Sequence, residues 1–351
     1  MDDGRGHQVR WPDEVDDVVK GDITAALGYT TPAGGAVVMA VAPCGIGDRD
    51  LGTLGFTTSL GFGRKLKRIV ADPRIALAYH AREHGYSASP AFVLAQGTAS
   101  VDLTPSRAQL EALTPQVEHY LGKVMRGPVW DRLLREYYGE RVLVDLAVER
   151  ITAWPDPSAS GEMSVTGSAW PGPADPQPPP QNGTWPRLDV SRAARQIAAL
   201  PHRVLAYRGA DGFPVLVPVH LAGQDPAGLR LAVPGGLLPP GGRRAGLLAH
   251  SYRPQLVGLS TRIFTGWLDV GPRGAVYAPH TTRGFVAPAS KRLLLTSNGL
   301  LAKYGLWQAR RQGMAARLAQ LASERAAARD EPRPGRSPAV TPRRIRPAPP
   351  R

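Results

Sequence analysis

The stretch FTTSLGFGRKLKR, residues 56–68, is the part of the sequence that decides the fold. A strand-like run ends in three hydroxyl residues, and a loop with two glycines leads into a segment with four cations in five positions, Arg64–Arg68. Free N–H groups at the start of a helix attract anions. Hydroxyl groups and guanidinium groups add donors that fit phosphate oxygens. The stretch therefore predicts a phosphate-binding turn, and a solvated basic turn is the alternative interpretation.

Short apolar runs with turn residues between them surround this stretch. The predicted strands are Ile23–Tyr29, Ala36–Ala42, Leu54–Thr58, Ile75–Tyr79, Phe92–Val101 and Arg141–Val148. A short helix is predicted over Arg64–Ala71, and a helical stretch from Thr104 to about Tyr138 is interrupted at Pro115 and at Gly127-Pro128. Many short strands with one small helix after the third favour a mainly β fold, a β-barrel with α elements, over a parallel sheet.

The length of 351 residues suggests two domains, because single cores rarely exceed about 250–300 residues. Composition divides the chain into a flexible N-terminus (1–20), a first domain (21–154), a Pro-rich linker (155–186), a second domain (187–309), and an Ala/Arg helix with a disordered basic tail (310–351).

An internal repeat links the two domains. The aligned segments are Leu27–Val41 with Leu205–Val219, Gly63–Lys65 with Gly242–Arg244, and Asp72–Leu77 with Tyr252–Leu259. A repeat of this length indicates a duplicated domain. Two unrelated β domains are the alternative.

Composition narrows the function classes. The single cysteine, Cys44, excludes an intrachain disulfide and cysteine-based zinc or iron–sulfur clusters, and it favours a reduced, cytoplasmic setting. No apolar run is long enough for a membrane helix, so we expect no membrane partner. Eleven Arg and three acids lie between Arg310 and Arg351, so most of the net charge of +14 belongs to the tail. His80 and His84 have a metal-ligand spacing, but Gly85 argues against a helix there, and we predict no metal site.

The order of several motifs is similar to a known superfamily. These motifs are Phe56–Ser59, Arg64-Lys65, Asp72–Arg74 followed by a strand, Gln96-Gly97, and Glu149–Trp154. Together they resemble the pyridoxamine 5'-phosphate oxidase-like FMN-binding split-barrel superfamily, over 21–154 and more loosely over 187–270. The resemblance implies a split β-barrel that pairs with a second barrel, with cofactor sites between the two. Two tandem split barrels in one chain would supply that pair.

The resemblance also assigns site residues. It implies that the ribityl-phosphate arm of the cofactor lies by Thr57, Thr58, Ser59, Arg64 and Lys65. It further implies that Gln96 reaches the ring edge and that Val38 and Met39 line the ring with backbone groups. Members that oxidise pyridoxamine phosphate carry an Arg and a Lys around the strand matched by Ala36–Val41. Those places are apolar here, so we expect a different reaction.

The second domain has weaker signals. Gly241–Arg244 resembles a degenerate phosphate-binding turn, but Leu237–Pro240 precedes it where hydroxyls would be needed, so a structural role is favoured. Trp267 could stack on the ring of the first site or belong to the core. The polar stretch Pro279–Phe285 is interpreted as a surface loop, with a cofactor or substrate contact through His280 and Arg283 as the alternative. We expect one cofactor site per chain, on the first domain.

Three functions remain open from the sequence. The first is an oxidoreductase that uses FMN or a deazaflavin coenzyme on an unidentified small molecule. The second is a non-catalytic flavin- or haem-binding sensor, in which His80 would be a candidate haem ligand. The third is a nucleic-acid-associated protein that binds through its basic tail, although the tail lacks interleaved aromatic residues. A homodimer is left open as well.

Overall fold

The amino-terminal half of the chain forms an antiparallel sheet that surrounds one apolar core, and the computed structural model describes residues 8–330. The strands are β1 (Ala25–Thr30), β2 (Ala36–Val41), β3 (Gly47–Asp48), β4 (Thr53–Thr58), β5 (Arg74–Tyr79), β6 (Phe92–Asp102), β7 (Val142–Trp154) and β8 (Ser164–Gly167). Their order is β2-β1-β5-β6-β7-β4-β3, with β8 added to β7.

Five helices accompany this first barrel. They are α1 (Asp13–Gly21), α2 (Gly63–Ala71), α3 (Arg107–Ala112), α4 (Thr114–Leu121) and α5 (Pro128–Gly139). The predicted helix breaks are confirmed: Pro115 stands in the first turn of α4, and Pro128 begins α5. Both positions tolerate proline because the first N–H groups of a helix have no partner within it.

The N-terminal segment is ordered, in contrast to the predicted flexibility over residues 1–20. Val15, Val18 and Val19 share one face of α1 and are buried against the core of the first barrel. Trp11 is buried beside them, and its indole N–H donates to Asp16 Oδ1 at 3.0 Å. Helical spacing of these apolar residues explains why the segment packs. Residues 1–7 lie outside the described part of the chain.

A second antiparallel sheet follows after helix α6 (Val190–Ala198). Its strands are β9 (His202–Arg208), β10 (Pro214–Pro218), β11 (His220–Asp225), β12 (Gly228–Ala232), β13 (Gly241–Ser251), β14 (Ser260–Gly271) and β15 (Gly274–Val286). Their order is β10-β9-β13-β14-β15-β12-β11, which repeats the first sheet strand for strand. The prediction of two tandem split β-barrels is therefore confirmed.

The register corrects the predicted alignment of the repeat. Leu27 pairs with Leu77 in the first sheet and Leu205 pairs with Leu247 in the second, so β13 is the counterpart of β5. The alignment of Leu27–Val41 agrees with this register. The alignments of Gly63–Lys65 with Gly242–Arg244, and of Asp72–Leu77 with Tyr252–Leu259, are wrong. Gly242–Arg244 lies within a strand, whereas Gly63–Lys65 opens a helix.

The linker and the C-terminal helices also differ from their predicted limits. Residues 155–186 contribute β8 and a contact at Gln177, whose side chain donates to Gly34 O of the first barrel and accepts from Arg244 N of the second. The helix predicted from Arg310 begins earlier, as α7 (Lys291–Arg311), and continues as α8 (Met314–Asp330). The predicted boundary at 309 therefore falls inside α7. The predicted disordered tail beyond residue 330 lies outside the described residues.

The two barrels pack against each other through small residues. The core of the second barrel continues into Ala26, Ala76 and Ala78 on the outer face of the first. A Cβ atom added to Gly28 would lie 2.5 Å from Leu216 Cδ1 and 3.1 Å from Pro214 Cβ, so glycine at this position lets β1 approach β10 closely. The prediction that both barrels pair within one chain thus has a direct packing basis.

Candidate functional site

The predicted phosphate-binding turn joins the end of β4 to the start of α2. Lys65 is buried, and its ammonium group donates to Thr58 Oγ1 at 2.7 Å and lies 5.2 Å from the ring centroid of Phe62. Burial, together with the positive charge of Arg141, lowers the pKa of Lys65 to about 7. An ammonium group has three N–H donors. This buried cation therefore has capacity for an additional acceptor.

Arg141 joins this cluster, although the sequence analysis did not single it out as a site residue. It stands directly before β7, and its guanidinium donates to Thr57 Oγ1 at 2.9 Å. Its planar group also lies 5.5 Å from the ring centroid of Tyr137. Two cations, Arg141 and Lys65, thus approach the two threonines that end β4. The only available signal was its position beside a strand end, because the pairing of β4 with β7 is a tertiary contact.

The C-terminal helices cover part of this turn. Gly61 lies against Gly305 of α7, where an added Cβ would be 3.1 Å from Gly305 Cα, and Gly63 lies against Met314 of α8. The Ser59 hydroxyl accepts from Gly61 N–H at 3.2 Å, so it caps the turn. Arg64 remains exposed at the first turn of α2. Among the predicted site residues of this stretch, Thr58, Ser59 and Lys65 are therefore buried, and Arg64 is accessible.

The positive charges of three arginines, drawn from both barrels, act on Tyr29 near the end of β1. Burial raises the pKa of Tyr29, while the positive charges of Arg68, Arg283 and Arg64 act in the opposite direction. Arg64 and Arg68 belong to α2, whereas Arg283 belongs to β15 of the second barrel. Within residues 8–330, no hydrogen bond or ion pair engages the side chains of these three arginines. We name this region the arginine groove.

The strand pair β14–β15 forms the second-barrel wall of the arginine groove. The stretch Pro279–Phe285 belongs to β15, so its interpretation as a surface loop is wrong; it pairs with β14 across a register shift. Thr281 lies two residues before Arg283 on the same strand face, and its hydroxyl is 2.6 Å from that of Thr265. His280 is the extra residue of the bulge, and its Nε2 is 3.5 Å from Thr184 O of the linker.

Trp267 lies on β14, two residues after Thr265. It is buried, and the guanidinium of Arg244 lies 5.9 Å from its ring centroid. Gly242 packs against its indole, since an added Cβ would be 2.4 Å from Trp267 Cζ2. These contacts hold the ring in place. Its predicted role in stacking on a cofactor stays a prediction.

Val38 and Met39 lie on β2, the edge strand of the first sheet. The sheet order leaves one side of β2 without a hydrogen-bonded strand, and Gly246 of β13 packs against the β2 backbone near Ala36 O and Val38 N. Val38 is buried in the core shared by the two barrels, and Met39 faces the first-barrel core. The use of their backbone groups by a cofactor ring stays a prediction.

Gln96 makes contacts that differ from those predicted. Its Nε2 donates to Pro214 O of the second barrel at 2.7 Å, and its Oε1 accepts from Arg150 Nε at 2.8 Å. Arg150 Nη2 also forms an ion pair with Asp211 Oδ2 at 2.7 Å. We name these residues the Arg150 network. Because both ends of the Gln96 amide are engaged, a role at a ring edge requires this network to open.

A cavity of about 720 Å³ lies elsewhere, between α1 and α4. Most of its charged lining residues form ion pairs, as in Arg10 with Asp50 and Lys20 with Asp16. Cys44 also lines it, and burial raises the pKa of the thiol to about 12. A protonated thiol is a poor nucleophile. The compensated charges make this cavity a weaker candidate for an anionic ligand than the arginine groove.

His80 and His250 occupy equivalent positions in the two barrels and meet at the interface. Their Nε2 atoms are 2.8 Å apart, and His80 Nδ1 is 3.1 Å from Ala78 O. His80 therefore carries its proton on Nδ1 and accepts from His250 Nε2–H. An iron-ligand role for His80 would need this pair to separate. Among residues 8–330, no group of three metal-ligating side chains is arranged to hold a metal ion, and no helix is long and apolar enough to cross a membrane.

Comparisons with known proteins complete the description. A scan against protein-family models and a search of curated proteins both give no match. Similar solved structures include a conserved hypothetical protein from Mycobacterium tuberculosis, at 19% identity over 47% of this chain and 99% of that chain, with a TM-score of 0.31. A heme binding protein from Mycobacterium smegmatis shows 15% identity over 85% of this chain and 99% of that chain, with a TM-score of 0.30.

A third similar structure is a protein related to general stress protein 26, of the pyridoxinephosphate oxidase family, from Clostridium acetobutylicum. It shows 15% identity over 43% of this chain and 90% of that chain, with a TM-score of 0.29. At these values the likenesses carry no argument about cofactor or activity. The split-barrel fold is established by the strand order of the chain itself.

Proposed function

We propose that this chain binds one flavin-type cofactor in the arginine groove and uses it as an oxidoreductase on a small organic molecule. FMN and a deazaflavin coenzyme are the two candidates. The observation that carries the proposal is the convergence of Arg64, Arg68 and Arg283 around Tyr29 without a neutralising partner in the described chain. Uncompensated guanidinium groups that meet between two domains favour a phosphate-bearing ligand.

The donor set of the groove fits such a cofactor. Arg64 and Arg283 would hold the phosphate from opposite barrels, and the Thr265–Thr281 hydroxyls would add neutral donors. Lys65 and Arg141 lie behind the first turn of α2 and contribute positive potential there. Backbone groups of β2 beyond the contact with Gly246 would face a planar polar ring. When bound, the cofactor supplies hydride transfer, and the protein supplies binding and electrostatics.

The chain's own residues have defined tasks in this proposal. Arg64, Arg68 and Arg283 bind and orient the anionic end, Val38 and Met39 present backbone groups along the ring, and Trp267 limits access from the second barrel. The identical strand order further supports duplication of one ancestral barrel. The counterpart of α2 would lie between β12 and β13 in the second barrel. Loss of that helix would then have left one complete site, in the first barrel.

Titration of the apo-protein with FMN and with a deazaflavin coenzyme tests the proposal. We expect one site per chain for the true cofactor. Bleaching of the bound cofactor by a reductant, followed by reoxidation by an added substrate, would separate an enzyme from a non-catalytic binding protein. Two equivalent sites per chain, or no binding of either cofactor, would contradict the assignment.

A further inference from the structure

The outer face of α7 carries five large apolar side chains that no other described element covers. They are Leu293, Leu300, Leu301, Tyr304 and Trp307, and each is between 51% and 62% exposed. The opposite face of the same helix is buried through Leu294, Leu295 and Leu306. The exposed residues therefore are not needed to hold α7 in place. A contiguous apolar surface of this kind on a folded protein indicates a site of contact with another protein or with a membrane.

These residues follow helical spacing. Leu293, Leu300, Tyr304 and Trp307 are separated by seven, four and three residues, so they form one stripe along the helix. Phe62, also exposed, stands next to Gly61, which contacts Gly305 of α7. Phe62 is therefore a further exposed apolar side chain near α7 but is not part of the stripe. Leu, Tyr and Trp are the side chains typical of the apolar face of a helix that lies in a membrane interface.

The charge around the stripe indicates which kind of partner, another protein molecule or a lipid surface, would cover it. From Lys291 to Asp330 the two C-terminal helices have eight Lys and Arg residues and two acids. The Arg311 guanidinium lies 4.7 Å from the ring centroid of Trp307, which places a cation at the end of the stripe. A second copy of the chain would bring this same excess of positive charge to the contact, which opposes self-association. Anionic lipid headgroups complement it.

We propose that α7 is a docking surface for an anionic membrane, with the apolar stripe in the interface and the arginines against lipid phosphates. This departs from the expectation of no membrane partner, which rested on the lack of a spanning segment. A helix that lies on a membrane needs an apolar face and flanking cations rather than a spanning length. The stripe and the arginine groove consist of different residues. Absence of cofactor binding would therefore not contradict the proposed membrane docking.

Co-sedimentation of the full chain with vesicles tests the docking surface. We expect binding to phosphatidylcholine vesicles that contain phosphatidylglycerol, weaker binding to phosphatidylcholine alone, and a decrease with added salt. The triple variant Leu300→Ser/Tyr304→Ser/Trp307→Ser should lose at least about tenfold in vesicle affinity, because it removes the buried apolar area but no charge. In the wild type, tryptophan emission should shift to the blue on binding, and Trp307→Phe should diminish that shift.

A control variant matches the three residue types on other surfaces. Leu51→Ser/Tyr86→Ser/Trp185→Ser replaces side chains of similar exposure, and it should bind vesicles like the wild type. Circular dichroism and cofactor titration should be unchanged in the α7 variant, which shows that it folds. Vesicle binding retained by the α7 variant would assign the attraction to charge alone and overturn the proposal. Concentration-dependent self-association that the α7 variant abolishes would overturn it too, in favour of a second copy.

Discussion

The two barrels differ at the residues that face the partner barrel across the last two long strands. Gln96 and Thr265 each precede a glycine at the same register shift, and each stands opposite the same position of the following strand, Arg150 or Thr281. In the first barrel this pair is the Arg150 network, with the charge neutralised by Asp211. In the second barrel it is a small hydroxyl pair beside the unpaired Arg283.

This comparison shows how equivalent positions acquire opposite roles. The Arg150 network uses its charge to join the barrels, and the Arg150 side chain is only 4% exposed. A cavity of about 280 Å³ remains beside it, bordered by Phe213 and linker residues. The arginine groove keeps its charge uncompensated and has small side chains on its second-barrel wall. One region is therefore suited to hold the fold together and the other to hold an anion.

The largest expected effect concerns the Arg150 network. Asp211→Ala leaves a buried guanidinium without its carboxylate, and we expect a loss of about 3–5 kcal/mol in the free energy of unfolding. Denaturant titration measures this loss. The matched control is Asp225→Ala, which breaks an exposed ion pair with Arg230 and should cost less than about 1 kcal/mol. Similar losses in both variants would show that the network does not lock the barrels.

The equivalent histidines predict acid sensitivity of the interface. Burial lowers the pKa of His80 to about 3 and also lowers that of His250, whereas both should titrate near 6.5 when unfolded. The unfolded state therefore binds more protons below pH 6.5, and stability falls as the pH decreases from there towards 3. The slope should be about 1.4 kcal/mol per pH unit for each histidine.

Denaturant titrations between pH 7 and pH 4 measure that slope. The double variant His80→Gln/His250→Gln keeps a polar side chain at each position without a group that titrates in this range, so its slope should be shallower. An unchanged slope would assign the acid sensitivity to other groups, such as His202, whose pKa is also lowered by burial.

The cofactor affinity should depend on both walls of the arginine groove. Arg64→Ala and Arg283→Ala each remove one charge-assisted contact, which is about 1.5–3 kcal/mol, so the affinity for FMN should fall at least about tenfold in each variant. Riboflavin, which has no phosphate, should be affected little. Arg273→Ala removes an exposed arginine in the turn between β14 and β15 and serves as the control. Equal losses for riboflavin and FMN would exclude the phosphate as the group that is bound.

The smallest effect concerns Lys65 behind the groove. Because its pKa is lowered to about 7, the ammonium loses its charge as the pH rises through that value. An anionic ligand favours the charged form, so the affinity for FMN should decrease several-fold between pH 6 and pH 8. Lys65→Met keeps most of the side-chain volume and should remove this dependence. A wild-type affinity that is constant over this range would separate Lys65 from the site.

Local patterns were enough to predict most of the first barrel. Turn residues between short apolar runs located the hairpin of β1 and β2, and Asp72-Pro73 marked the end of α2, because such signals act within a few residues. The N-terminal helix was missed despite the spacing of Val15, Val18 and Val19, since its polar composition was given more weight. The second barrel was harder because its counterpart of β5 begins with Gly241-Gly242-Arg243, which resembles a turn.

The sequence by itself determined the mainly β class, the basic turn at 56–68 and the two-domain length, because these depend on local spacing and on composition. Only the tertiary structure decided which cations are free. Arg150 and Arg283 are both arginines on the last long strand of their barrels. Asp211 neutralises Arg150, whereas Arg283 acts on Tyr29 together with Arg64 and Arg68 of the first barrel. That difference depends on contacts between residues more than 60 positions apart, and electrostatic pairing follows distance in space rather than distance along the chain.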